Sequence, residues 1–181
     1  YKRQPELTAE VLVDGWLHTG DIGFLDGEGN LTITDRKKDL MKTSGGKYVA
    51  PQKVESVVAA NCPYVGQVVA VGDGRKFVSA LLVLDKDNLA KWAGRHGKSD
   101  VPYAQLTQDP ELRTLIERFI ARANSHLERW ETVKRFTILD HEFTVDDGGV
   151  TPNQKLRRSI IVAQHQAEVE AMYADENEAT A

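Results

Sequence analysis

Gln67-Val68-Val69-Ala70-Val71, then Gly72-Asp73-Gly74, then Phe77-Val78-Ser79-Ala80-Leu81-Leu82-Val83-Leu84 is the stretch on which the fold turns. Two apolar runs rich in β-branched residues, parted by glycine and aspartate, read as a hairpin of strands. Upstream, residues 51–60 read as a helix: Pro51 suits a first-turn position, and Val54, Val57 and Val58 follow helical spacing. Downstream, residues 88–96 read as a short helix. The clearest element follows it. Asp109 is placed to cap, Pro110 fits the first helical position, and Leu112, Leu115, Ile116, Phe119, Ile120, Ala123, Leu127 and Trp130 form one apolar stripe. The aromatic members of that stripe read as core. Residues 136–139 read as another strand, Asp146-Asp147-Gly148-Gly149 as a flexible polar loop, and residues 155–172 as a final helix. Helices and short strands mix without strict βαβ alternation. The predicted class is therefore α+β, a small mixed sheet flanked by helices.

The ends of the chain read differently. Residues 22–25 and 31–34 pair as a hairpin across Asp26-Gly27-Glu28-Gly29-Asn30. Two strands alone bury too little to be stable in water. Residues 1–35 are therefore expected to be the remnant of a larger N-terminal domain, poorly ordered or paired with a neighbouring copy in its absence. Tyr1, inside what reads as domain-internal sequence, agrees with an excised piece. Residues 36–42 carry dense charge and suit a hinge linker. Residues 43–174 form the main domain, opening with a polar glycine turn, and the acidic tail 175–181 is expected to be disordered.

Composition sets limits. The 181 residues are 41% hydrophobic and 28% charged, as in ordinary globular proteins. A formal net charge of −4 argues against a nucleic-acid partner, which would call for a basic excess. The single cysteine, Cys62, allows no internal disulfide and reads as a small buried apolar residue at a helix end. No apolar run approaches the ~18 residues of a membrane span.

Four local patterns carry a more specific reading: Trp16-Leu17-His18-Thr19-Gly20-Asp21; Asp35-Arg36-Lys37-Lys38-Asp39; Lys42-Thr43-Ser44-Gly45-Gly46-Lys47-Tyr48-Val49 with Pro51 and Glu55; and Thr151-Pro152-Asn153-Gln154-Lys155-Leu156-Arg157-Arg158. In this order they resemble the C-terminal part of the superfamily of acyl-CoA synthetases, luciferases and peptide-synthetase adenylation domains. The wording is most like the bacterial long-chain fatty-acid–CoA ligases. The resemblance covers about residues 7–172.

It implies a two-step chemistry. ATP and a carboxylate give an acyl-adenylate and pyrophosphate, and a thiol then gives the thioester and AMP. A small C-terminal domain rotates between the steps. The resemblance makes Asp21 the ribose-binding acid, whose two oxygens accept both ribose hydroxyl protons. Arg36 becomes a nucleotide contact, with a guanidinium fork suited to ribose or phosphate oxygens. Lys38 falls at the hinge, and Lys42 at a position that faces the active site in the thioester-forming pose. Ser44, Gly45 and Gly46 match a segment beside the pantetheine channel, where missing side chains let a ligand approach the backbone. Glu55 fits a helix acid that fixes local structure. Lys155 becomes the adenylation lysine, its ammonium offsetting repulsion between the attacking carboxylate and the α-phosphate. A cation in a first helical turn opposes the helix dipole, which favours a functional reason for it.

One departure stands out. The commonest pattern has glycine before this lysine, where Gln154 stands, so Arg157 or Arg158 competes for the basic role. A nucleotide P-loop at Gly46-Lys47 is rejected, because Met41 occupies the first glycine position and Tyr48 follows the lysine.

The implied cofactors are ATP/AMP, Mg2+ held mainly by the absent large domain, and coenzyme A as co-substrate; no metal site is expected in this chain. The implied partners are its own large N-terminal domain and a fatty acid, with cytoplasmic localisation and peripheral membrane association compatible with such a substrate. The chain alone is expected to be inactive. A stand-alone binding module, a luciferase-like oxidase and a domain loading a carrier protein are the alternatives.

Overall fold

The computed structural model describes residues 5–174, so the expected disorder of 175–181 lies outside the described residues. The chain separates into two compact units, Tyr1–Leu40 and Met41–Ala181.

The second unit is built on three strands, β7 (Val65–Val71), β8 (Val78–Leu84) and β9 (Val133–Ile138), in the order β7-β8-β9. The first pair is antiparallel, as the Gly72-Asp73-Gly74 turn demands, and β8 pairs with β9 in parallel. A parallel neighbour needs a long crossover. Here the crossover contains α3 (Lys86–Arg95), α4 (Tyr103–Leu106) and α5 (Pro110–Asn124). The small mixed α+β sheet expected from the sequence is thus observed.

Every residue of β8 is buried. Alternate side chains leave a strand on opposite faces, and here they divide between two cores. Val78, Ala80, Leu82 and Leu84 pack with Val54 and Val58 of α2 (Pro51–Asn61), Trp92 of α3, and Leu112 and Ile116 of α5. Leu81 and Val83 face the opposite way, toward Ile161 of α6 (Arg158–Gln164) and Val169 of α7 (Gln166–Ala171), with Met172 and Tyr173 beyond. The sheet is the middle of three layers. Cys62 closes α2 fully buried, and desolvation pushes its thiol pKa up.

The apolar stripe ends earlier than its periodicity predicts. α5 stops at Asn124, whose amide donates to the Val133 carbonyl at 2.9 Å and accepts the Val133 N–H at 2.8 Å. That pair of bonds turns the chain toward β9. Leu127 still packs against the core, but Trp130 lies in the following turn, 42% exposed, with the Lys47 ammonium 5.1 Å from its ring centroid. The core assignment of Trp130 is corrected.

The final helix also differs from expectation. It starts at Arg158 rather than at 155, and it is two helices broken at His165. The His165 ring Nδ1 lies 2.9 Å from the Ile161 carbonyl oxygen, and its Nε2 is 3.1 Å from the Nε2 of His141. The His165 N–H keeps its own bond to the Ile161 carbonyl at 3.1 Å, so at the break the ring shares that acceptor with the helical ladder.

Asp109 caps α5 as predicted, accepting the N–H groups of Glu111 (2.9 Å) and Leu112 (3.2 Å). It also accepts from the Lys98 ammonium at 2.6 Å, and that bond chiefly holds its carboxyl below the usual range. Asp109→Ala is expected to lower stability by about 1 kcal/mol near neutral pH. A carboxylate with a depressed folded pKa stabilises above its unfolded pKa, and the contribution is lost as pH falls through the folded value. The gap between denaturant melts of the two proteins should therefore begin to shrink near about pH 4, the unfolded aspartate pKa, and close only as pH falls through the lower folded value. A gap independent of pH would show that the charge is irrelevant.

The first unit holds α1 (Pro5–Val11), a short ladder of β1 (Leu12–Val13) with β2 (Trp16–Leu17), and the hairpin of β3 (Asp21–Leu25) with β4 (Leu31–Arg36). α1 and the first ladder were not foreseen. Asp14 and Gly15, both at positive φ (51° and 81°), form the turn between β1 and β2, the backbone that Asp-Gly favours. In the second hairpin the Asp26 carboxylate accepts from the N–H groups of Glu28 and Asn30 and from the Asn30 amide. Trp16, Leu17, Phe24, Leu25, Leu31 and Ile33 are exposed on this unit. Two-stranded ladders have no second layer to cover such side chains. No helix among the described residues is long and apolar enough to cross a membrane.

Candidate functional site

In the first unit, the register of β3 and β4 places Asp21 directly opposite Arg36. Arg36 Nε lies 3.2 Å from Asp21 Oδ1. The Asp21 N–H donates to Thr19 Oγ1, and the Lys37 N–H donates to the Gly20 carbonyl at 2.7 Å, so the Thr-Gly-Asp turn is pinned to the end of β4. The result is an acceptor-only acid beside a forked donor. The side chains are 30% and 57% exposed, so their ion pair is worth under about 1 kcal/mol and yields readily to a ligand. Asp35, next to Arg36, is buried and accepts the Arg36 N–H at 2.7 Å. Its burial was not legible, because it sits in a run of charges. Lys38 lies in a short 3-10 turn, Lys37–Asp39, in which no residue is buried.

In the second unit, β5 (Met41–Lys42) pairs with β6 (Tyr48–Val49), and residues 43–47 close the turn between them. Thr43 organises this turn: its N–H donates to the Lys47 carbonyl, its carbonyl accepts from Gly46, and its hydroxyl accepts the Lys47 N–H. Gly46 has a φ of +77°, a conformation that suits glycine. Ser44, Gly45 and Gly46 are exposed, and a Cβ on Gly45 would meet only Thr43 Oγ1 at 3.9 Å. The backbone here is therefore open to a ligand.

This segment is docked on the β7–β8 turn. The Lys42 N–H donates to Asp73 Oδ1 at 2.9 Å, the Gly74 N–H to the Lys42 carbonyl at 2.8 Å, and the Ser44 N–H to the Arg75 carbonyl at 2.8 Å. Asp73 was read only as a turn residue; its second task, receiving Lys42, is a tertiary contact. The Lys42 ammonium lies 5.7 Å from the Tyr48 ring centroid.

Lys155 is not in a helix, so the helix-dipole argument for it falls. It sits in a tight hairpin closed by an antiparallel bridge between Val150 and Leu156. The Gln154 N–H donates to the Thr151 carbonyl, the Thr151 N–H to the Lys155 carbonyl, and the Lys155 N–H to Thr151 Oγ1 at 2.9 Å. Thr151 thus fixes the lysine backbone on both sides. The Lys155 side chain is exposed, with no ion pair among the described residues.

Gln154 has a φ of +62°. Glycine adopts that region freely, whereas an ordinary residue pays roughly 1–2 kcal/mol. The position where the sequence departs from the commonest motif is therefore one that glycine suits. Gln154→Gly is expected to stabilise the chain by about 0.5–1 kcal/mol, the strain relieved less glycine's entropy cost. Gln154→Val should destabilise it, and thermal melts of both variants check the pair.

Glu55, on α2, accepts the Ala70 N–H (2.9 Å) and the Arg158 guanidinium (2.6 Å) on one oxygen, Oε1. Arg158 is therefore occupied structurally and does not compete with Lys155 for the exposed basic position. Among the described residues no group of three or more His, Cys, Asp or Glu gathers to hold a metal.

The chain is similar to known proteins over nearly its whole length. It is 37% identical over 177 residues to the long-chain-fatty-acid–CoA ligase FadD15 of Mycobacterium tuberculosis, covering 97% of this chain and 29% of the relative. Among solved structures, the adenylation domain of a carboxylate reductase from Mycobacterium chelonae superposes with a TM-score of 0.74 at 27% identity, covering 96% of this chain and 26% of that one. The adenylation–carrier didomain of a carboxylic acid reductase from Segniliparus rugosus, in complex with AMP, gives 0.71 at 26% identity, covering 98% and 23%. The chain thus spans 23–29% of the length of these three. The C-terminal domain of AMP-binding enzymes matches residues 38–177, and the chain belongs to that family.

Proposed function

We propose that this chain is the C-terminal part of an ATP-dependent long-chain fatty-acid–CoA ligase, forming an acyl-adenylate and then the CoA thioester. The observation that carries the reading is Lys155: an exposed ammonium on a turn closed from both sides by Thr151, after a residue in the left-handed conformation. Its 37% identity to a ligase of that name supports the substrate class.

In the first step Lys155 offsets the repulsion between fatty-acid carboxylate and α-phosphate, stabilising charge where it develops. Asp21 accepts from the ribose hydroxyls, and Arg36 donates to neighbouring nucleotide oxygens. In the second step the open backbone of Ser44, Gly45 and Gly46 flanks the pantetheine of CoA, with Lys42 beside it. Residues 36–42 are the hinge, with the change of backbone centred on Lys38, and 43–174 is the body that turns. Residues 1–35 belong to the large domain, which is the partner of this one. Mg2+ would neutralise phosphate charge; no group of three or more His, Cys, Asp or Glu among the described residues gathers to hold it. The reading places the ligase in the cytoplasm, working at the bilayer surface where long-chain acids partition.

The test is turnover by the full-length protein containing this chain, given ATP, Mg2+, a long-chain fatty acid and CoA. AMP and acyl-CoA should appear together, and the present chain alone should yield neither. Absence of AMP release with every fatty acid tried would sink the reading. The likeness to carboxylic acid reductase adenylation domains, one joined to a carrier domain, favours a second reading, acyl transfer to a carrier protein. Thioester formed on a carrier but not on CoA would select it.

A further inference from the structure

We propose that Glu55 and Arg158 are positioning residues for Lys155, an ion pair that ties the foot of the lysine turn to α2 and to the edge of β7. The proposal rests on the adenylation reading of Lys155.

The pair is well shielded: the Glu55 and Arg158 side chains are 16% and 24% exposed, with 2.6 Å between Oε1 and Nη2. Glu55 is the only acceptor given to the Arg158 guanidinium among the described residues, and Arg158 Nε is buried without a partner. The same Glu55 oxygen receives the Ala70 N–H. β7 is an edge strand, so that N–H has no neighbouring strand to bond. One carboxylate therefore serves the sheet edge and the start of α6 at once.

The consequence for Lys155 is a matter of reach. Arg158 is the first residue of α6; Arg157 before it makes no side-chain cap but donates its N–H to the Gly149 carbonyl at 2.8 Å, and the Arg158 side chain adds the tie to α2. Three residues span at most about 10 Å. A displacement of Arg158 is therefore passed to Lys155 through Leu156 and Arg157, against the Thr151 turn and the Val150–Leu156 bridge that hold the other strand of the hairpin. Removing one partner of a buried pair leaves an uncompensated charge, which must move toward water. Without Glu55, the Arg158 guanidinium swings out and takes the foot of the turn with it.

The test uses the full-length protein, with acyl-adenylate formation and thioester formation from supplied acyl-adenylate measured separately. Glu55→Ala is expected to lower the adenylation kcat tenfold or more, with the KM for ATP little changed and the thioester step retained. Glu55→Gln, whose amide oxygen still accepts from Ala70 and Arg158, should restore most of the rate. In case Glu55→Ala folds poorly, the double variant Glu55→Gln with Arg158→Met keeps the Ala70 bond and removes the buried charge. It should melt near the wild type yet still adenylate tenfold more slowly. Amide exchange of residues 150–158 should speed up in that variant while exchange in α5 does not.

Loss of both half-reactions in parallel, or wild-type adenylation in a folded double variant, would overturn the proposal. Adenylation that needs Lys155 but ignores Glu55 overturns the proposal alone. Adenylation that survives Lys155→Ala overturns the reading of Lys155 and the proposal with it.

Discussion

If Lys155 has the proposed adenylation role, Lys155→Ala in the full-length protein is expected to slow acyl-adenylate formation by about a hundred- to a thousandfold while leaving thioester formation from supplied acyl-adenylate near wild type. The size follows from the role proposed for the ammonium. Two anionic groups must approach each other, and a fixed cation aimed at the developing charge is worth about 3–4 kcal/mol where water is excluded. The selectivity follows from the two-pose scheme, in which the lysine serves one step only. The fold should survive, because the Lys155 side chain is exposed and its backbone bonds to Thr151 do not need it. Rapid-quench measurement of each half-reaction separates the outcomes. Survival of both steps would end the assignment of Lys155, and loss of both would argue against alternating poses.

Leu82→Ala carries the second large effect, on stability. Leu82 is fully buried at the centre of the middle strand, in the core shared with α2, α3 and α5. β8 is flanked by β7 on one side and β9 on the other, so the backbone has little freedom to collapse into the space. Large-to-small changes at such sites cost about 2–5 kcal/mol. Against a total stability of about 5–15 kcal/mol for a typical domain, that is a substantial share. Val145→Ala, at a 44% exposed loop position, is the control and should change stability by less than about 0.5 kcal/mol. Urea unfolding of the isolated chain decides. Equal midpoints for the two variants would mean that the layer built on β8 does not unfold as part of one cooperative core.

What sequence reading recovered here was local. Gly72-Asp73-Gly74 between apolar runs encodes the β7–β8 hairpin, Pro51 and Asp109-Pro110 encode two helix starts, and the turn at Asp26 encodes the β3–β4 hairpin, whose strands reach beyond the expected 22–25 and 31–34 to Asp21 and Arg36. Each of these signals acts within a few residues, so the chain states it directly. The places where the reading went astray depend on particular side-chain bonds that apolar spacing does not announce. α5 stops at Asn124 because Asn124 bonds Val133, although the apolar spacing continues to Trp130. The last helix breaks at His165, where the ring meets His141 and the Ile161 carbonyl.

The candidate site divides along the same line. Its residue types and their order were legible in four motifs, because side-chain chemistry is carried by the chain itself. Their geometry was not. The Thr151 bonds that take Lys155 out of a helix, the docking of Lys42 and Ser44 on the turn at Asp73, and the Glu55–Arg158 tie across 103 positions exist only once the chain is folded. The sequence by itself determined the α+β elements and the chemical groups on offer. The tertiary structure alone decided where helices end and how the lysine turn is held, because those outcomes are set by individual side-chain hydrogen bonds, some local and some across the chain, that periodicity and propensity do not encode.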